Sequence, residues 1–453
     1  MKALILNGSP KGPDSITLQT ALYLETKFPD VAFETLHVGQ RIRSIEKDFA
    51  AARAALESAD LLIFCYPVYT FLVPAQLHRF LELIKENGVS LVGKFATQIT
   101  TSKHFYDTTA HRFVEENYAD LGLQCIRGLS ADMEDLLSRR GREEAESFFR
   151  FVLWSMENGA VEPDPRAFAP QGALQTADDS TPRCEGADGA HVAVVTDLGP
   201  ESERLRAMIA RFERRMSARV SVIDLHEFPF AGGCLGCFRC AAEGKCVYKD
   251  GFETLLREKI QSADAIVYAF TVRDHSMGYR FKLYDDRQFC NGHRTVTMGK
   301  PVGYLVDGFL RAEPNLRTLL EARAQVGGNF LAGIASDEAD PDGEIDRLAR
   351  TLSYALRFGV RLPKNFYGVG GLKIFRDLIY QMQGLMREDH RFYRENGFYD
   401  FPQKRKGTIA GMYLVGAMMN SEKLRARMGG KMTEGMLMPY RKVLKKAGKK
   451  HAN

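Results

Sequence analysis

Short apolar runs alternate along this chain with stretches in which apolar residues recur at helical spacing, and glycine- and proline-containing loops separate the two. Residues 2–6 predict a short buried strand, a Gly/Ser/Pro loop follows, and an apolar period from Ile16 to Thr26 predicts a helix. Further strands are predicted at Ala32 to Leu36, Ala59 to Cys65, Phe95 to Thr101 and Gln124 to Gly128, with helices around Phe49 to Ser58, Ala75 to Lys85, Thr109 to Tyr118 and Arg142 to Glu157. Five strands separated by helices predict an α/β domain with a doubly wound parallel sheet, because parallel neighbours need a crossover and the crossover helices cover the faces.

The period is lost from Asn158 to Gly189, where Pro163, Pro165, Pro170 and Pro182 fall among Gly, Ala and Asp, and this segment reads as a linker. The pattern then restarts. Strands are predicted at His191 to Asp197, Val220 to Leu225, Ala263 to Thr271, Pro301 to Asp307 and Asn329 to Ile334, and helices at Glu201 to Arg215, Phe252 to Ser262, Tyr279 to Gln288 and Ile345 to Arg357. The phrases Glu57-Ser58-Ala59-Asp60-Leu61-Leu62-Ile63 and Gln261-Ser262-Ala263-Asp264-Ala265-Ile266-Val267 hold the same place in each half, a sign of internal duplication. The expected organisation is a domain at 1–158, a linker at 159–189, a second domain at 190–360 and a basic, mainly helical extension at 361–453.

Composition changes this picture only at the end of the chain. The 453 residues are 45% hydrophobic and 26% charged, which suits a soluble globular protein better than a disordered chain or a membrane bundle. Residues 361–453 hold 20 Lys and Arg against 7 Asp and Glu, whereas the remainder holds 42 against 50. The apolar piece Thr408 to Met419, set between Lys404-Arg405-Lys406 and Lys423, is shorter than the ~20 residues of a spanning helix. It reads as an appendage packed on the domains with a solvated charged face; the functional reading is peripheral contact with anionic lipid or a partner, and no nucleic-acid binding is expected. Met1-Lys2-Ala3-Leu4-Ile5-Leu6 runs straight into a glycine turn without an apolar signal core, so a cytoplasmic location with reduced cysteines is expected.

Four of the eight cysteines, Cys234, Cys237, Cys240 and Cys246, crowd into the spacing C-x2-C-x2-C-x5-C. Such a run suits a [4Fe-4S] cluster, whose corners are thiolate-bound; structural zinc more usually takes two separated pairs, and free thiols or a reactive pair remain a third reading. Cys65, Cys125 and Cys290 sit in or beside apolar segments, as small buried residues do.

Position gives the loop Asn7-Gly8-Ser9-Pro10-Lys11-Gly12-Pro13-Asp14-Ser15-Ile16-Thr17 its interest. A hydroxyl-rich loop at a helix N-terminus offers backbone N–H groups, side-chain donors and the positive end of the helix dipole to a phosphate. It lacks both the Walker lysine spacing and G-x-G-x-x-G. Together with Pro67-Val68-Tyr69 and Pro74-Ala75-Gln76-Leu77 after the third strand, Asn-Gly-Ser-Pro-Lys followed by Ser15 and Thr17 resembles the NAD(P)H-dependent FMN reductase branch of the flavodoxin-like proteins. The cysteine run, ending in Gly244-Lys245-Cys246-Val247-Tyr248-Lys249-Asp250, resembles the iron-sulfur flavoproteins of that branch. The two resemblances span about residues 1 to 358 and imply tandem flavodoxin-like domains, each with a five-stranded parallel sheet.

They further imply that Ser9, Lys11, Ser15 and Thr17 hold the FMN phosphate, and that Pro67, Val68, Tyr69, Thr70 and Phe71 lie along the isoalloxazine with Tyr69 against the ring. A third contact is expected after the fourth strand, where Thr101 and Ser102 offer donors to the flavin's pyrimidine edge. Lys103 and His104 beside them read as solvated loop residues, or as groups that stabilise negative charge near reduced flavin. In the second half, Asp197 and Glu201 would repel a phosphate at the corresponding loop, and Phe270 to Met277 lacks the Pro-x-Tyr pattern, although Lys282 and Asp286-Arg287 match the family's next helix. That half is read as the cysteine carrier, and because the family's flavin site commonly lies at a subunit interface, the fused pair implies an internal pseudo-dimer. His275 and His293 read as surface or helix-end residues, since no base and orienting partner are visible, and no catalytic residue is assigned. The expected activity is an NAD(P)H-dependent FMN oxidoreductase in which NAD(P)H or a reduced carrier feeds FMN and a [4Fe-4S] site relays electrons to a small-molecule or protein acceptor. The alternative is a non-catalytic redox sensor or electron-transfer module using the cysteines and the basic tail.

Overall fold

The computed structural model describes residues 1–448 apart from 70–71, 105, 164–171, 175–181, 200–201, 236, 238, 274 and 420–421, with backbone alone at 415, 418–419 and 422–433. Two compact units are formed, residues 1–165 with 399–453, and residues 166–398.

In the first unit the strands Ala32–Leu36, Lys2–Asn7, Leu61–Pro67 and Phe95–Ser102 lie side by side in that order, all parallel. The order reverses between Lys2–Asn7 and Leu61–Pro67, and the loops that leave such neighbours in opposite directions open a crevice at their carboxyl ends. On one face Leu4, Leu6, Phe64 and Tyr66 belong to the same buried cluster as Leu77, Phe80 and Ile84 of the helix Ala75–Glu86. Each side chain of this size contributes roughly 1.5–3 kcal/mol when fully buried. The fifth strand differs from expectation. Only Gln124–Cys125 and Leu129–Asp132 pair with Phe95–Ser102, so the predicted run through Gly128 is broken in two. Gly128 shows why: a Cβ there would fall 2.3 Å from Gln98 Cγ, and the chain passes too close to the neighbouring strand to continue a regular ladder.

The second unit repeats the plan. Its parallel sheet has the order Phe330–Ser336, Pro301–Asp307, Ala265–Thr271, His191–Thr196, Arg219–Asp224. Both sheets therefore have the flavodoxin-like arrangement in which the first strand of the domain sits between the second and third. The duplicated phrase has a structural purpose in each. Asp60 Oδ2 accepts from Lys2 N at 2.7 Å, and Asp264 Oδ2 accepts from His191 N at 2.9 Å, so each aspartate pins the start of the first strand. Lys94 Nζ donates to Ala59 O at 2.7 Å, and Lys300 Nζ donates to Ala263 O at 2.5 Å, which ties the fourth strand to the same turn.

The short helix Arg239–Glu243 and the longer helices Val38–Lys47 and Pro314–Gly327 escape the sequence reading. Helix Val38–Lys47 begins at a close approach, where a Cβ on Gly39 would lie 2.3 Å from Gly8 O. Beyond residue 360 the chain is mainly helical: Phe366–Gln381 and Arg387–Glu395 fall in the second unit, Lys406–Met419 and Glu422–Gly448 in the first. Among the described residues no helix is long and apolar enough to cross a membrane.

Candidate functional site

Buried Asn7 shapes the first loop. Its Nδ2 donates to Gly12 O at 2.8 Å and its Oδ1 accepts from Ser9 N at 3.2 Å, which folds the loop back before the helix Ile16–Lys27. Three serine hydroxyls at this end of the sheet accept from backbone N–H groups: Ser9 Oγ from Lys11 at 3.3 Å, Ser15 Oγ from Leu18 at 3.4 Å, and Ser102 Oγ from His104 at 2.8 Å. A hydroxyl carries one proton and two lone pairs, so each of these oxygens, with an acceptor site engaged, can still donate. The Thr17 and Thr101 hydroxyls lie 2.6 Å apart and tie the first turn of the helix to the end of the fourth strand.

These groups converge. Ser9, Lys11, Ser15, Ile16, Thr17, Pro67, Val68, Tyr69, Thr101, Ser102 and Lys103 line one cavity of about 300 Å³, with Met133 and Met436. Ser9, Ser15, Thr17, Thr101 and Ser102 are buried, while Tyr69 is 43% exposed. Tyr69 is held by backbone bonds with Leu72, its N donating to Leu72 O at 2.8 Å and its O accepting from Leu72 N at 3.1 Å. Thr70 and Phe71 lie outside the described residues. The cavity thus sets hydroxyl donors, a lysine and the positive end of a 12-residue helix beside an accessible aromatic face with proline, valine and methionine neighbours. Such a lining fits a planar heterocycle that carries a phosphate, and so fits FMN. Lys103 faces the cavity but is also paired with Asp132 at 2.8 Å.

His104 departs from its expected place in solvent. It adopts φ 60° and turns inward, with Nδ1 2.9 Å from Asp107 Oδ2, which also accepts from Ser130 Oγ at 2.5 Å. Burial opposes ionisation of Asp107, but hydrogen bonds from His104 and Ser130 prevail and hold its carboxyl below the usual range. Nearby, His111 Nε2 lies 2.9 Å from Thr100 Oγ1, and burial pushes its pKa down to about 4. Met133 and Met436 were not anticipated. Met436 comes from the last helix, where buried Leu437 and Tyr440 pack inward and Tyr440 OH donates to Met133 O at 2.6 Å. Leu437, Tyr440 and Ala447, all on one helical face, were the local sign that this basic helix packs on the first domain.

In the second unit Cys234, Cys237, Cys240 and Cys246 line a largely apolar cavity of about 260 Å³. Cys234 and Cys237 are exposed, Cys240 and Cys246 half-buried, and Cys65, Cys125 and Cys290 buried as expected; Cys184, unassigned from sequence, is buried too. Cys290 also lines the cysteine cavity, and burial pushes its thiol up to about 12. Among the described residues no three or more His, Cys, Asp or Glu side chains are gathered as ligands of a single metal ion.

Arg287 closes this cysteine loop at both ends. It donates to Gly232 O at 2.9 Å, ahead of Cys234, and to Asp250 Oδ1 and Oδ2 at 2.8 Å, beyond Cys246. The guanidinium sits 4.3 Å from the Tyr248 ring centroid and 5.0 Å from that of Phe252. The hydrogen bonds from Arg287 hold the Asp250 carboxyl down at about 2. His293, expected at a surface or helix end, is instead a cavity wall with Nδ1 2.9 Å from Asp389 Oδ2, a pairing that sequence separation hid. His275 is exposed and lies 2.9 Å from Glu313. In the loop after the second domain's first strand, buried Asp197 is paired with His226 at 2.7 Å; Glu201 lies outside the described residues.

Residues 1–114 match the family of NADPH-dependent FMN reductases. An iron-sulfur flavoprotein from Archaeoglobus fulgidus is 26% identical over 174 residues, 36% of this chain and 79% of that relative. Similar solved structures include an FMN-dependent NADH-azoreductase from Bacillus anthracis in complex with FMN, 15% identical over 33% of this chain and 98% of that one, with a TM-score of 0.26. Another is a flavoenzyme NAD(P)H:(acceptor) oxidoreductase from Paracoccus denitrificans, 15% identical over 34% of this chain and 95% of that one, with a TM-score of 0.29.

Proposed function

We propose that the chain is an FMN-dependent oxidoreductase of the NAD(P)H-dependent FMN reductase branch of the flavodoxin-like proteins, the family that its residues 1–114 match, and that its second domain carries a [4Fe-4S] cluster through which electrons pass to a small-molecule or protein acceptor. The convergence of two separate loops and the end of the fourth strand on one cavity carries the flavin part of this reading. Ser9, Lys11, Ser15 and the helix N-terminus would hold the phosphate, with Thr17 fixing the helix to Thr101. Pro67, Val68 and Tyr69 would cover the ring, and Thr101 and Ser102 would donate to its pyrimidine edge. Bound FMN supplies hydride acceptance and the change from two-electron to one-electron transfer.

For the cluster, Cys234, Cys237, Cys240 and Cys246 are the ligands we assign. Tetrahedral zinc asks four donors to meet about 2.3 Å from one point. Four thiols spread around an apolar cavity suit a larger polynuclear group, and the name of the Archaeoglobus relative agrees. Thiols unpaired in disulfides suit a reducing compartment, so we place the protein in the cytoplasm. Anaerobic mixing with NADH or NADPH tests the reading. The flavin band should bleach, and nicotinamide consumption should continue once a quinone or free flavin is added as acceptor. A bound flavin that stays oxidised with both nicotinamides would overturn it.

A further inference from the structure

We propose that the helix Lys406–Met419 is a lipid-surface anchor that lies side-on in the headgroup region of membranes rich in anionic lipid. A helix with this many apolar residues is ordinarily buried. Here every described side chain is exposed, Ile409 at 41%, Met412 at 61%, Tyr413 at 78% and Leu414 at 64%. A Cβ placed on Gly407, Gly411 or Gly416 would touch nothing within 4 Å, so no part of its own unit covers the helix at those points.

Charge selects the occupant. Residues 399–453 carry 13 Lys and Arg against 3 Asp and Glu. Lys404, Arg405 and Lys406 lead into the helix, and Arg441, Lys442, Lys445 and Lys446 are exposed on the helix that follows. Arg405 is partly engaged by Glu134 at 3.3 Å and Asp400 at 3.4 Å, and contributes less. A second copy of this chain would bring the same positive field against itself, whereas an anionic lipid surface neutralises it. Length fixes the mode of binding: 14 residues span only about 21 Å, too short for the hydrocarbon core, so the helix lies in the interface with its apolar side chains at the acyl boundary. A tyrosine as the most exposed of these four side chains suits that boundary, where an apolar body and a polar tip are both satisfied.

The test is flotation of the full-length protein with vesicles of phosphatidylcholine alone and of phosphatidylcholine mixed with phosphatidylglycerol. Binding to the anionic vesicles, weak binding to neutral ones and release by raised salt are expected. Tyr413→Glu with Leu414→Glu should lower the partition coefficient on the order of 100-fold, because two large side chains lose their burial in lipid. The secondary structure and FMN affinity of that variant should be unchanged, since both side chains point to solvent. Equal binding by wild type and double variant, equal binding to neutral and anionic vesicles, or no binding would overturn the proposal. So would a concentration-dependent dimer in ultracentrifugation that the double variant abolishes, which would assign the patch to a second copy.

Discussion

Arg287→Ala is the perturbation whose cost the structure specifies best. The side chain is 1% exposed and its partner Asp250 9% exposed, so solvent screens the pair poorly. Truncation removes the bonds to Asp250 and Gly232 and the stacking between Tyr248 and Phe252, and strands a carboxylate in a nearly dry site. Breaking one side of a buried pair in this way costs roughly 3–5 kcal/mol, against a total domain stability of about 5–15 kcal/mol. Arg287→Lys keeps the charge but loses the two-pronged geometry, and should fall between wild type and alanine. The acid dependence has a definite sign. Asp250 is held at about 2, so the pair's contribution is complete above the ordinary carboxylate value near 3.8 and is lost as pH falls from there toward 2. Arg287→Ala should therefore differ most from wild type near neutrality and least near pH 2. The lone tryptophan, Trp154, lies in the first unit, so its fluorescence does not report on this loop. Hydrogen exchange across 232–250 does, and should accelerate about 100-fold or more in Arg287→Ala, with urea unfolding by circular dichroism shifted and the tryptophan transition left in place. Unchanged exchange through 232–250 would refute the idea that one guanidinium holds both ends of the cysteine loop.

Ser15→Ala removes a helix cap and a candidate phosphate donor together; FMN should dissociate on the order of 10–100-fold more readily, as a quenching titration would read, and an unchanged Kd would remove Ser15 from the phosphate site. His111 stays neutral in its buried place at pH values where an unfolded histidine, near 6.5, takes up a proton. First-domain stability followed by Trp154 should thus fall from pH 6.5 toward 4, and His111→Gln should flatten that slope; equal slopes would contradict the assignment. Tyr440→Phe loses the bond to Met133 O, worth about 0.5–1.5 kcal/mol, and should speed FMN release several-fold by loosening the helix that carries Met436. An unaltered release rate with unaltered stability would show that this helix does not steady the cavity.

Both sheets were legible because their central strands, Lys2–Asn7, Leu61–Pro67, His191–Thr196 and Ala265–Thr271, are near-continuous apolar runs, as strands buried on both faces are, and the loop residues Ser9, Lys11, Ser15, Thr17, Pro67, Val68, Tyr69, Thr101 and Ser102 could be placed at carboxyl ends of strands. What escaped depended on contacts between distant segments. The break in the fifth strand follows from Gly128 crossing Gln98, a proximity that no local pattern carries. Helix Val38–Lys47 has Val38, Ile42 and Ile45 at helical spacing but carries a glycine, Gly39, at its second position, and that glycine is required by the close approach of Gly8 rather than by the helix. His104 looked like a loop residue because its turn inward needs a left-handed backbone and a partner three residues on. His293 is paired with a residue 96 positions away, and Met436 reaches a cavity otherwise built from the first 133 residues. The duplicated phrase was visible as a repeat, but its meaning, an aspartate that pins the first strand of each domain, appears only in the hydrogen bonds.

The most direct test of the proposed flavin and cluster pairing is an ultraviolet-visible spectrum of protein purified without oxygen, with flavin, iron and acid-labile sulfide quantified on the same sample and on Cys237→Ser. Flavin together with iron and sulfide in equal amounts, with the iron, the sulfide and their broad absorbance lost in Cys237→Ser while flavin remains, is the predicted result. Flavin without iron, or iron that survives the substitution, would contradict the cluster at Cys234, Cys237, Cys240 and Cys246, and a protein that neither holds nor takes up flavin would contradict the account as a whole.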